Sequence, residues 1–166
     1  MGNSKNTVAG WKDSLRGVEA AVAGFKPTAS AALTRRQAWF RYQLRQFLHF
    51  SEKAARAAGL TRQQHQLLLG VAGFTDRGWA TISELAEFLQ ERHNAVVGLV
   101  QRAARRGWIR KREIARDRRL VRVELTPKGR TILARLTRLH RDELVRFEAR
   151  LADFTAGRDS KIKEAN

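Results

Sequence analysis

Residues 60–125 constrain this chain most. Three helix signals follow one another there, and the hydrophobic period then changes from about 3.6 to 2. In Leu60-Thr61-Arg62-Gln63-Gln64 the Thr61 hydroxyl can cap the backbone and Gln64 can reach back to it, so a helix starts here and continues through Leu67, Leu68, Leu69 and Val71. A loop follows at Thr75-Asp76-Arg77-Gly78-Trp79. Thr81-Ile82-Ser83-Glu84 then repeats the device ahead of Leu85, Ala86 and Leu89. A break at Gln90-Glu91-Arg92 separates this short helix from a third, His93 to about Arg106, whose inward side is Val96, Leu99, Val100 and Ala103. Gly107 stands where a left-handed residue is wanted to end it. Val121, Val123 and Leu125 then alternate with Arg122 and Glu124, the pattern of a strand, and Ile109-Arg110-Lys111-Arg112-Glu113 can be its hairpin partner. Two short helices joined by a few residues, followed by a hairpin, predict a helix-turn-helix with a wing at about 109–125.

The flanks are long helices. Residues 34–58 carry Phe40, Leu44, Phe47, Leu48, Ala54, Ala55 and Ala58 at helical spacing, and Trp39, Tyr42 and Phe50 widen the apolar surface. A helix apolar on more than one side buries more than one side, against its own core and against a ligand, another segment or another subunit. Residues 126–155 begin with Thr126 as cap and Pro127 in the first turn, then place Ile132, Leu136, Leu139, Leu144, Phe147, Leu151 and Phe154 along one stripe. About 28 residues of helix span about 42 Å, more than so small a lobe covers. The predicted fold is therefore mainly α with a small β-wing. A winged helix-turn-helix lobe at 60–125 lies between dimerisation helices at 34–58 and 126–155, with Phe147, Leu151 and Phe154 in a core shared by two copies. Residues 1–33 read as an extension, one helix or a loose arm, with a faint stripe of Trp11, Leu15, Val18, Val22 and Phe25; residues 156–166 read as a polar tail.

Charge points to the partner. Lys and Arg number 33 against 16 Asp and Glu, a net +17, and an excess of this size favours a polyanion. Between Arg92 and Arg119 ten Lys or Arg face two acids, so the excess is concentrated on the third helix and the wing. No apolar run approaches the roughly 20 residues of a spanning helix, and the first residues lack the apolar segment of a signal peptide. A cytoplasmic location and no membrane partner follow as expectations. The absence of cysteine removes disulfides and thiolate metal sites. His49, His65, His93 and His140 lie on separate segments without paired ligand spacing, so no metal and no cofactor is expected; His140, beside Asp142 and Glu143, reads as part of a solvated stretch. No phosphate-binding glycine loop and no nucleophile–base pairing stands out, and the residues suggest no enzyme.

In order and spacing, four stretches resemble the MarR (multiple antibiotic resistance regulator) family over about residues 34–155. They are Leu60-Thr61 with Gln64, Leu67 and Leu68; Ser83-Glu84-Leu85-Ala86-Glu87 through Leu89; Val96, Leu99, Val100 and Arg102 with Arg106-Gly107-Trp108-Ile109; and Asp117-Arg118-Arg119 through Leu125-Thr126-Pro127-Lys128-Gly129. The resemblance implies a homodimeric transcriptional regulator, a repressor on palindromic double-stranded DNA, released by a small aromatic or phenolic effector. The third helix here opens Arg92-His93-Asn94-Ala95 where the family commonly has Ser-Pro-Ser-Thr, and Gly98 replaces a common basic residue, so no operator sequence carries over.

On this reading Arg92, His93, Asn94, Val97, Gly98 and Gln101 face DNA. Asn and Gln suit adenine edges and Val97 a thymine methyl, while Gly98 lets the backbone approach. Arg102, Arg105 and Lys111 suit phosphates. Arg116, Arg118 and Arg119 belong to the wing, where Arg118 suits a narrow minor groove and Asp117 braces the crowded cations. Trp39, Tyr42, Arg45 and His65 are candidates to line an effector site, with plain core packing as the competing explanation. Two alternatives stay open: an architectural DNA-binding protein without effector, and a winged-helix module that binds protein.

Overall fold

The computed structural model describes residues 31–74, 77–114 and 117–156, with backbone alone at 113, 114, 117–120 and 155. Expectations for residues 1–30, for the tail from 157 onward and for Arg116 fall outside the described residues. A division between two units lies at Ala38/Trp39. The described part of the first unit is the exposed start of helix α1 (Ala31–Ala57); the remainder of this section concerns the second.

The chain then forms α2 (Arg62–Leu69), a π-helical turn (Gly70–Phe74), β1 (Trp79–Thr81), α3 (Ile82–Leu89), α4 (His93–Arg105), β2 (Ile109–Ile114), β3 (Asp117–Leu125) and α5 (Pro127–Thr155). The sequence-predicted caps are all made. Thr61 Oγ1 accepts from the Gln64 N–H at 3.2 Å while the Thr61 N–H donates to Gln64 Oε1 at 2.9 Å. Thr81 and Glu84 repeat the exchange at 2.8 and 3.3 Å. Thr126 Oγ1 accepts from the Gly129 N–H at 3.1 Å, behind Pro127. Each cap is worth about 1 kcal/mol and fixes where its helix begins. Gly107 has φ +72°, the left-handed stop expected of it.

Two features were not anticipated. The segment read as loop ends in a third strand: β1 pairs antiparallel with β3, Trp79 opposite Glu124 and Thr81 opposite Arg122, giving the sheet order β1-β3-β2. The α3–α4 break turns on Gln90, a non-glycine residue at φ +56°. β2 and β3 pair from Ile109–Leu125 outward, with a register shift between Glu113 and Ile114.

The core joins all these elements. Leu67, Leu68, Val71, Leu85, Val96, Val100 and Val123 are fully buried with Leu136 of α5, so the first half of α5 belongs to the lobe. Beyond it the apolar side chains reach solvent: Leu139 is 51% and Val145 60% exposed.

One polar side chain shares this interior. His65 is 3% exposed, and burial, then the neighbouring His140, lower its pKa from 6.5 to about 4. In the unfolded chain the same ring binds a proton near pH 6.5. Stability is therefore unaffected by this group above that pH and falls as acid protonates the unfolded state first. By about pH 5 the loss reaches about 2 kcal/mol. Urea melts at about pH 7 and about pH 5 should show it, and His65→Asn should flatten the difference; an equal acid loss in that variant would contradict the assignment.

Candidate nucleic-acid interface

α4 divides cleanly. Val96, Leu99, Val100 and Ala103 are buried, which fixes the helix's rotation; His93, Asn94, Gln101, Arg102 and Arg105 are consequently exposed, with Val97 and Gly98 half-buried between them. Neither the exposed side nor the first turn carries an acid, and the N-cap residue Arg92 makes no side-chain bond to the helix start. The positive end of the helix dipole is thus left open to anions.

Two clefts flank α4. In one, of about 190 Å³, His93, Val97 and Gln101 meet Lys111 of β2 and the start of α3. In the other, of about 710 Å³, Asn94, Gly98 and Arg102 meet Arg62 and Gln63 at the start of α2. The Arg102 guanidinium lies over Gly98, 3.3 Å from where a Cβ would stand. The predicted residues of the helix are thereby divided between the two clefts, except Arg92 and Arg105, which line neither. Arg62 and Gln63 were missed: in sequence they are interior positions of a capping box, and only the fold carries them beside Asn94.

The wing's base is clamped electrostatically. Glu124, 8% exposed, accepts from Arg110 Nε at 2.8 Å and pairs with Arg122. The Arg110 hydrogen bond, with Arg122 nearby, outweighs desolvation and holds the Glu124 carboxyl below the usual range. Arg122 and Arg77 in turn sit over the Trp79 ring, at 4.7 and 4.0 Å from its centroid, and Arg77 also pairs with Glu84 at the start of α3. Wing, β1 and helix-turn-helix are tied through one indole. Asp117, Arg118 and Arg119 lie on β3, with their side chains outside the described residues.

The four effector candidates are not brought together. Trp39 stacks on Tyr42, centroids 5.2 Å apart, and Tyr42 and Arg45 border a surface hollow, whereas His65 lines a separate cavity. His140 is corrected: it is half-buried rather than solvated, its ring 5.0 Å from His65 and 5.4 Å from Phe50. Among the described residues no group of three or more His, Asp or Glu is placed to hold a metal ion, and no helix is long and apolar enough to cross a membrane. Of the proposed dimer residues, Phe147 packs on Phe47 (5.1 Å) and Phe154 on Phe40 (6.5 Å) of the same chain, and Leu151 is half-buried.

A sequence model of the MarR family matches residues 58–120, the span from the end of α1 through α4 into β3. A comparison with curated proteins finds no match. Among solved structures the fold is similar to AbsC, a MarR family transcriptional regulator from Streptomyces coelicolor, at 18% identity and a TM-score of 0.67 over 84% of this chain and 95% of that one. It is also similar to a mutant MarR from E. coli complexed with operator DNA (19% identity, TM-score 0.60, 78% and 91% covered). A third similar structure is a MarR family regulator from Streptomyces coelicolor in complex with DNA (20%, 0.63, 75% and 78%). The sequence match over the lobe and the shared order of helices and wing agree: the chain has a winged-helix fold, and its residues 58–120 match the MarR family.

Proposed function

We propose that the protein is a cytoplasmic, homodimeric transcriptional regulator, a repressor rather than an enzyme, that binds double-stranded DNA at a palindromic operator. The observation that carries this reading is the exposed side of α4, where His93, Asn94, Gln101, Arg102 and Arg105 stand without an acid beside an open helix terminus. Such a surface enters a major groove, reading bases with amides and holding phosphates with guanidiniums. Lys111 and Arg62 extend it on either side. Arg116, Arg118 and Arg119 continue it along the wing, with Arg118 in the minor groove and Asp117 as brace. A small aromatic or phenolic effector releases the DNA; Trp39, Tyr42 and Arg45 on one side and His65 on the other, which lie at separate hollows, are its alternative candidate contacts.

Selection of bound sites from a random duplex pool tests the reading, and a two-fold consensus is expected. On that consensus Asn94→Ala should cost about 1–3 kcal/mol and relax preference at one position of each half-site. Arg105→Ala should weaken all duplexes alike. Asp117→Ala should weaken binding although it removes a negative charge, and Arg118→Ala should lose most on A·T-rich flanks. Equal affinity for random duplexes would favour the architectural alternative, and no DNA affinity would favour a protein-binding module.

A further inference from the structure

β1 runs directly into Thr81, the cap of α3, so a shift of this short strand moves the start of the helix-turn-helix. It meets the sheet in three register pairs, Trp79–Glu124, Ala80–Val123 and Thr81–Arg122. Ala80 and Val123 are fully buried, which turns Trp79, Thr81, Arg122 and Glu124 to the other face. Arg110 and Arg112 of β2 share that outer face, because they stand opposite Glu124 and Arg122.

Arginines crowd this face. Arg112 directly opposes Arg122, and like charges in that relation destabilise a ladder. The conflict is relieved at the β1 edge. Arg122 pairs with Glu124 and lies over the Trp79 ring, 4.7 Å from its centroid. Arg77 lies over the same ring at 4.0 Å and pairs with Glu84. Glu84 in turn accepts from the Thr81 N–H at 2.8 Å and from Thr81 Oγ1 at 3.0 Å. Contact therefore runs from β3 of the wing, through the indole, to the first turn of α3. The side chains of Arg77 and Arg122 are 45% and 41% exposed, so their ion pairs alone contribute little. An indole is the best of the aromatic faces for a cation, and here two guanidiniums use it.

We propose that Trp79 is a positioning residue for DNA binding: its π face, gripping Arg122 of the wing and Arg77 beside α3, sets the angle of the wing to α4. The inference rests on the proposed minor-groove contact of the wing for its effect on affinity, whereas the coupling itself belongs to the free protein. Loss of the indole should leave α4 presented as before, because Val96, Leu99, Val100 and Ala103 fix that helix in the core behind the sheet.

The test compares Trp79→Phe, which keeps a π face, with Trp79→Leu, which keeps apolar bulk alone. In the free full chain, amides of β2 and β3 should exchange at least about tenfold faster in Trp79→Leu than in wild type, and within about threefold of wild type in Trp79→Phe. Exchange in α2 and α4 should change in neither. On the selected operator, Trp79→Leu should lose about tenfold in affinity together with the preference for A·T-rich flanks, and keep the half-site consensus read by α4. Trp79→Phe should restore most of both. In an Arg118→Ala background Trp79→Leu should cost less than about threefold, since the two act through one contact. If Trp79→Leu fails to fold, Arg77→Gln removes one of the two cations from an exposed position and should give the same pattern at smaller size. Equal exchange in the Phe and Leu variants, faster exchange that spreads to α2 and α4, or losses that add fully to Arg118→Ala would each overturn the proposal. A wild-type protein without flank preference sinks the minor-groove reading instead, and wing exchange that depends on the π face then leaves the coupling standing.

Discussion

Gly129→Ala should remove more than about 3 kcal/mol of stability, although it replaces glycine by the best helix former inside a helix. A Cβ at this position would stand 1.9 Å from the Trp108 carbonyl oxygen and 2.9 Å from its carbon. The carbonyl cannot recede, because it accepts from the Thr126 N–H at 3.0 Å and from Thr126 Oγ1 at 3.2 Å, and the same hydroxyl lies 2.6 Å from the Gly107 oxygen. Relief requires α5 to lift from the exit of α4, taking Leu133 and Leu136 out of the core. A melting temperature lower by about 10 °C is expected for a domain of this size. Gly73→Ala, where a Cβ meets nothing within 4 Å, is the control. A Gly129→Ala melt no lower than that control would contradict the argument.

Val145→Asp should convert the protein to monomers and lower operator affinity at least about a hundredfold, while binding to a single half-site persists. The motive is apolar surface exposed among the described residues: Phe40, Leu44 and Leu48 on α1, and Leu139, Leu144 and Val145 on α5. In the proposed dimer a carboxylate placed there would be penalised by burial in the interface. Leu151→Asp should act more weakly, because Leu151 is already half-buried in its own chain. Light scattering reads the mass directly, and a Val145→Asp dimer with full operator affinity would remove these helices from the interface.

The sequence exposed most of what depends on neighbouring residues. Thr61 with Gln64, Thr81 with Glu84, Thr126 with Pro127 and Gly107 are local devices, and each is found where it was expected. The rotation of α4 was legible because Val96, Leu99, Val100 and Ala103 repeat at helical spacing. What escaped depends on contacts between distant segments. β1 is three residues long, too short for an alternation to show, and exists because β3 offers it an edge. The His65–His140 pair joins residues far apart in the chain, and the acids beside His140 suggested solvent where the fold supplies Phe47, Phe50 and His65. Gly129 was recognised as part of a run of residues, but its reason, a passing carbonyl, appears only in three dimensions.

Three glutamates of this basic chain are spent internally. Glu84 engages Arg77, Glu124 engages Arg110 and Arg122, and Glu143 engages Arg146 and Arg150, and all three carboxyls are held below the usual range. They stay ionised through mild acid, and arginine does not titrate at all in this range. The field of these three clamps is therefore nearly independent of pH and yields chiefly to ionic strength, whose screening length shrinks from about 10 Å at 0.1 M to about 3 Å at 1 M. Acidity, by contrast, acts on the interior through His65. Salt thus loosens the arginine–glutamate clamps on the outside, and acid works on the buried His65 ring within.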